Sequence, residues 1–109
     1  MNFSVLILTK NEEHDLPGCL DSLLGIDDIV VFDSKSTDKT QEIALSYGAR
    51  LIIKQNQDAN IPFDGNEANH RNWALQNISF KYRWLMVVDA DERLTSHLIA
   101  ELQPVSYTH

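Results

Sequence analysis

The chain is poor in the residues that staple, anchor or charge a protein positively. A single cysteine, Cys19, has no partner for an internal disulfide and excludes a multi-cysteine zinc site. The four histidines, His14, His70, His97 and His109, lie far apart without metal-ligand spacing. No apolar run exceeds five residues, far short of a membrane span. Met1 leads directly into a strand-like run, without the basic and apolar regions of an export signal. Basic residues are also scarce. Nine Lys and Arg stand against 16 Asp and Glu, for a net charge of −7. That balance argues against duplex nucleic acid or an anionic membrane as a partner, since both need a basic face. It leaves room for a cation, or for an anion carried by one. The expected compartment is the cytoplasm, including the inner face of the membrane. The chain has 109 residues, 43% hydrophobic and 23% charged, the composition of one ordinary globular domain.

Four apolar runs punctuate the chain: Val5 to Leu8, Ile29 to Phe32, Leu51 to Ile53 and Trp84 to Val88. Each is continuous rather than alternating, the pattern of strands buried on both faces of a parallel sheet. Helical spacing fills the intervals. Leu16, Leu20, Leu23 and Leu24 form one stripe, with Asp15 as N-cap, Pro17 in the first turn and Gly25 as the stop. A second helix is expected from Asp38, with Gln41 in capping-box position, turning Ile43, Ala44 and Tyr47 inward and ending at Gly48. A third runs from about Asn66 to Ile78, and a fourth starts at Thr95 and uses Leu98, Ile99 and Leu102. Trp73, Trp84 and Cys19 are expected in the core. The long polar stretch 55–65 is a loop, and residues 103–109 read as an irregular tail. The alternation predicts an α/β fold, an open and mainly parallel sheet with flanking helices over residues 1–102.

In such sheets ligands bind beyond the carboxyl ends of the strands. Polar and acidic residues follow three of them: Thr9, Lys10, Asn11, Glu12 and Glu13 after the first, Asp33 to Asp38 after the second, Asp89 to Arg93 after the fourth. The pair Asp89 and Asp91 offers oxygen ligands of the kind that hold Mg²⁺ or Mn²⁺ alongside phosphate oxygens. The same tripeptide could simply end a strand and cap a helix. Asp33 could accept a hydrogen bond from a base N–H or a ribose hydroxyl, or shape a turn with its Ser and Thr neighbours. The segment after the second strand is not a P-loop, because it lacks the glycines and the Gly-Lys-Ser/Thr ending. Arg71 could meet a phosphate or stand as a surface group.

The pieces SVLILTKNEE, IVVFDSKSTDKT, HRNWAL and WLMVVDADERL occur in that order, between residue 3 and about 102. Together they resemble the inverting glycosyltransferases of family 2, which have the GT-A fold, and within them the subgroup similar to lipopolysaccharide-core glucosyltransferases. The resemblance implies a site for a nucleotide-diphosphate sugar, usually a UDP-sugar. It implies nucleotide contacts from Thr9, Asn11, Glu12, Asp33, Ser34, Arg71, Asn72 and Asp89, and a divalent cation, Mn²⁺ or Mg²⁺, on Asp89 and Asp91. Lys35 stands where many members have Gly, and Ser34 where many have a second Asp. In the family the base that activates the acceptor follows the DxD motif by more than the 18 residues that remain after Asp91. The resemblance therefore implies a donor-binding front part whose catalytic base lies beyond residue 109. Such a part would leave a sheet edge open to self-association. The alternatives are a nucleotidyltransferase-like nucleotide-binding domain, although it would carry a Gly-rich basic loop after the first strand, or a non-catalytic fragment.

Overall fold

Each of the four apolar runs becomes a strand. A computed structural model describes residues 2–54, 67–95 and 103–104. The order is β1 (Ser4–Thr9), α1 (Leu16–Ser22), β2 (Ile29–Asp33), α2 (Thr40–Ser46), β3 (Arg50–Ile53), α3 (Glu67–Asn77), β4 (Trp84–Asp89) and β5 (Gln103–Pro104). The sheet is ordered β3-β2-β1-β4-β5, with β1 to β4 parallel and β5 antiparallel to β4. The α/β, mainly parallel expectation is thus met. β1 is central and buried at all six positions, which is why its run is apolar without alternation.

Successive β1 residues feed opposite cores. Val5 and Ile7 pack with Leu16, Cys19, Leu20 and Leu23 of the α1 region and with Ala44 of α2. Leu6 and Leu8 pack with Phe32, Ala74 and Ile78 on the α3 side. Trp73 stacks on Phe32 with ring centroids 5.3 Å apart.

Several local expectations need correction. The α1 stripe stops early: Ser22 is the last helical residue, so Leu24 turns outward and is 74% exposed. Asp15 occupies the N-cap position but makes no side-chain cap bond. Tyr47 follows the last residue of α2 and is exposed rather than inward, with its hydroxyl donating to Asp21 Oδ1 at 2.9 Å. Trp84 opens β4 at the sheet's rim and is exposed, not core. Gln41 does not close a capping box, because its amide donates instead to Asp33 Oδ2 at 2.8 Å. Gln103 and Pro104, in the tail expected to be irregular, add a two-residue edge strand, a position where proline's missing N–H is tolerated. The helix expected from Thr95 and the loop 55–65 lie outside the described residues.

At the amino ends of the strands Asp28 gathers the fold. Its buried carboxylate accepts from Ser4 Oγ at 2.6 Å, the Lys81 N–H at 2.7 Å and Arg50 Nη2 at 3.0 Å. These bonds tie β1, β2, β3 and the approach to β4 together, far from the opposite edge where the chemistry collects.

Candidate functional site

Chain order reverses at β1: β2 and β3 lie to one side, β4 to the other. The crevice between the carboxyl ends of β1 and β4 is therefore the topological switch of the sheet. In register, Leu8 lies opposite Asp89 and Thr9 opposite Asp33.

The loops after β1 and β2 are laced together. The Asn11 N–H donates to Ser36 Oγ at 2.7 Å, and Asn11 Oδ1 accepts the Thr37 N–H at 2.8 Å. The Glu12 N–H donates to Thr40 Oγ1 at 2.8 Å and the Glu13 N–H to Asp38 Oδ2 at 3.2 Å. Asp38 also accepts from the Thr40 N–H at 2.9 Å, in keeping with a helix-start role, and from the Thr40 hydroxyl. Asn11 and Lys35 both take left-handed conformations, with φ of 53° and 55°. Asparagine tolerates that region; lysine does so at about 1 kcal/mol, which is why glycine suits position 35. Lys10 Nζ donates to the Lys35 carbonyl at 3.0 Å and steadies the strained residue.

Asp33 sits at the base of this network, fully buried. Oδ1 accepts from Thr9 Oγ1 and Ser36 Oγ, each at 2.6 Å, and Oδ2 accepts from the Ser36 N–H and Gln41 Nε2, each at 2.8 Å. Four donors thus converge on the two carboxylate oxygens. These bonds are those of the turn-shaping reading. Burial pushes the Asp33 carboxyl up, but the bonds from Ser36, Thr9 and Gln41 outweigh it and hold the pKa below the ordinary aspartate value. Asp28 behaves alike: the Ser4 hydroxyl, the Lys81 N–H and Arg50 overcome the effect of burial. Because both folded-state values lie below the unfolded one, the stability these groups contribute is complete above about pH 4. It is lost as the pH falls through the folded values. Urea midpoints are expected to fall below about pH 4, and Asp33→Asn is expected to flatten that fall.

Across the switch the picture differs. A cavity of about 220 Å³ is lined by Leu8, Glu12, Asp15, Asp89, Ala90 and Asp91. Sequence reasoning took Asp15 for a cap only. Its place three residues after Glu12, in a turn closed by the Asp15 N–H on the Glu12 carbonyl at 3.2 Å, sets both carboxylates beside the crevice. The Glu12 carboxyl is raised above its ordinary pKa by burial and by Asp15, Asp91, Asp89 and Asp38. Asp89 is raised by burial and by Glu92 and Asp91, against a downward pull from Arg71. Arg71 on α3 thus acts electrostatically on the acidic turn. Thr9, Asn11, Asp33, Ser34 and Asn72 do not line the cavity. Thr9 is spent on Asp33, the Ser34 N–H donates to the Thr9 carbonyl at 3.0 Å, and Asn72 is exposed on α3.

Glu92, also passed over by sequence reasoning, closes the turn from both sides. Its Oε1 accepts the Asp89 N–H at 2.7 Å, while its own N–H donates to the Asp89 carbonyl at 2.9 Å.

A parallel sheet whose switch-point crevice is lined with carboxylates defines the class of open α/β domains that bind ligands at their strand ends. The sequence profile described as Glycosyl transferase family 2 matches residues 4–105, and the chain belongs to that family. It is 37% identical over 102 residues to the lipopolysaccharide core biosynthesis glycosyltransferase LpsC of Rhizobium meliloti, covering 93% of this chain and 35% of that protein. It is 35% identical over 101 residues to an uncharacterized glycosyltransferase of Rickettsia bellii, covering 92% of this chain and 31% of that one. Among solved structures, glucosyl-3-phosphoglycerate synthase from Mycobacterium tuberculosis in complex with UDP superposes with a TM-score of 0.66 at 26% identity, covering 84% of this chain and 34% of that one. The same synthase has been solved with Mn²⁺ and UDP. The chain spans about a third of the length of the curated relatives it matches.

Proposed function

We propose that this chain forms the donor-binding part of an inverting glycosyltransferase that takes a nucleotide-diphosphate sugar, a UDP-sugar, with Mn²⁺ or Mg²⁺. The observation that carries the reading is the convergence of Glu12 and Asp15, after β1, with Asp89 and Asp91, after β4, around one crevice at the switch of the sheet. The donor set fits a hard cation: every polar group on it is a carboxylate, and two of the carboxyls are destabilised by their neighbours. Among the described residues no cluster of three or more His, Cys, Asp or Glu forms a dedicated metal cage. Mg²⁺ and Mn²⁺ take one or two carboxylates and complete their shell with water and phosphate oxygens.

In this reading Asp91 and Asp89 hold the cation, and Glu12 and Asp15 shape its acidic surround. Arg71 supplies a positive charge for the diphosphate from α3. Asp33 works through Thr9 and Ser36 to hold the β1 and β2 loops against the nucleotide, with Asn11 as the cross-tie and Ser34 and Asn72 at the nucleotide's margin. A bound cation offsets the negative charge that builds on the departing diphosphate. We assign no acceptor base among the described residues. The likeness to LpsC supports an acceptor of the cell-envelope polysaccharide class, met in the cytoplasm at the inner membrane face. Among the described residues no helix is long and apolar enough to cross a membrane. Self-association through a sheet edge belongs to the same reading.

Calorimetric titration of the chain with UDP-glucose, with and without Mn²⁺, tests this. Binding is expected only when Mn²⁺ is present. A chain that is folded by circular dichroism and shows no Mn²⁺-dependent heat would overturn the reading.

A further inference from the structure

The acidic turn after β4 is not free-standing. It rests on one face of α1 at three points. Cys19 Sγ lies 3.9 Å from the Asp89 carbonyl, and Ser22 Oγ accepts the Leu94 N–H at 3.0 Å while donating to the Cys19 carbonyl at 2.7 Å. The third contact is Arg93. Its guanidinium lies so close over Gly18 that a methyl group there would come within 2.5 Å of Nη2 and 2.8 Å of Cζ. From that seat Nη1 donates to the Ala90 carbonyl at 3.2 Å and the Glu92 carbonyl at 2.9 Å. These carbonyls flank Asp91. Neither the crevice nor the reading above uses Arg93 or Gly18.

We propose that Arg93 is a positioning residue: seated over Gly18, its guanidinium fixes the Ala90 and Glu92 carbonyls and thereby sets where the Asp91 carboxylate stands. The inference rests on the cation reading for its functional consequence, but its structural half stands apart from it. Both bonds come from one nitrogen, Nη1, whose two hydrogens serve the two carbonyls, while Nη2 and Cζ rest over Gly18. A side chain at position 18 would make the guanidinium shift from this seat.

Two effects of Arg93 on a cation have opposite signs, and this separates them. As a positive charge beside carboxylates it repels Mn²⁺; as a staple it keeps the ligands in place. Charge alone makes Arg93→Ala tighten Mn²⁺ binding, whereas positioning makes it weaken binding. The test measures Mn²⁺ affinity of the chain from the free-ion electron paramagnetic resonance signal, and amide hydrogen exchange of Asp89 and Glu92 without metal. For Arg93→Ala we expect about tenfold weaker Mn²⁺ binding and about tenfold faster exchange at both amides, with β1 amides unchanged. Gly18→Ala, which keeps the charge but displaces it, is expected to act in the same direction. Arg93→Lys is expected to fall between the parent chain and Arg93→Ala. Unchanged exchange at Asp89 and Glu92 in both Arg93→Ala and Gly18→Ala overturns the positioning role, as does equal or tighter Mn²⁺ binding by Arg93→Ala. If the unaltered chain takes up no Mn²⁺, the cation reading falls instead, and the exchange measurement still decides the role of Arg93.

Discussion

Asp33→Ala is expected to cost about 3–5 kcal/mol of folding stability, read from urea midpoints at pH 7. The carboxylate accepts four hydrogen bonds while fully buried. Removing it strands the Ser36 N–H, which cannot rotate away, together with the Gln41 amide, and leaves a void between the two loops. Asp33→Asn should cost less, about 1–2 kcal/mol. The asparagine oxygen can keep the Ser36 N–H and Gln41, while the Thr9 and Ser36 hydroxyls turn to accept from the new amide. What is lost is the charge that strengthens each bond. The order Ala worse than Asn is the signature of a structural acceptor. Were Asp33 a direct ligand of the base, Asp33→Asn would instead lose UDP affinity at unchanged stability. An Asp33→Ala chain as stable as the parent would refute the account.

Asp91→Asn should show the opposite profile. Asp91 is exposed, lines the crevice and raises the pKa of both Glu12 and Asp89. Neutralising it relieves repulsion, so stability should not fall. Mn²⁺-dependent affinity for UDP, by contrast, is expected to drop by about 100-fold, at or beyond the upper range for losing an outer partner of a metal ligand. Titration calorimetry beside a urea curve reads both quantities on one sample. Retained Mn²⁺-dependent binding in Asp91→Asn would remove Asp91 from the metal site. Together the two variants would separate a residue that builds the loops from one that meets a ligand, the first ending β2 and the second lying two residues beyond β4.

That separation marks where the sequence was legible. Continuous apolar runs identified all four parallel strands: β1 and β2 are buried on both faces, which leaves no room for polar alternation, while the edge strand β3 is only half-buried. The strand-end rule then pointed to Glu12, Asp89 and Asp91, and the structure brings these three to one crevice. The same rule could not tell Asp33 from Asp89. Both follow valine- or phenylalanine-rich strands, and only the hydrogen-bond partners, eight residues on at Gln41 and 24 back at Thr9, reveal that donors converge on one of them. Asp15 was hidden by its fitness as a cap, Glu92 by the habit of reading DxD as three residues. Helix ends misled for a local reason: Leu24 and Tyr47 continue the apolar spacing past the points where α1 and α2 unwind, so periodicity alone buries side chains that the backbone turns outward.

The pairing of β1 with β4 has a further consequence. Leu8 and Asp89 are neighbours in register, yet nearly the whole described chain separates them in sequence. No local hairpin or helix pair can assemble the crevice; it exists only once this long-range parallel pairing has closed, the slow kind of step in folding. Occupancy by a ligand would therefore report on the pairing of β1 with β4. A ligand that binds there should slow unfolding of that pairing as strongly as it raises the equilibrium midpoint, making the crevice a gauge of whether β1 and β4 have joined.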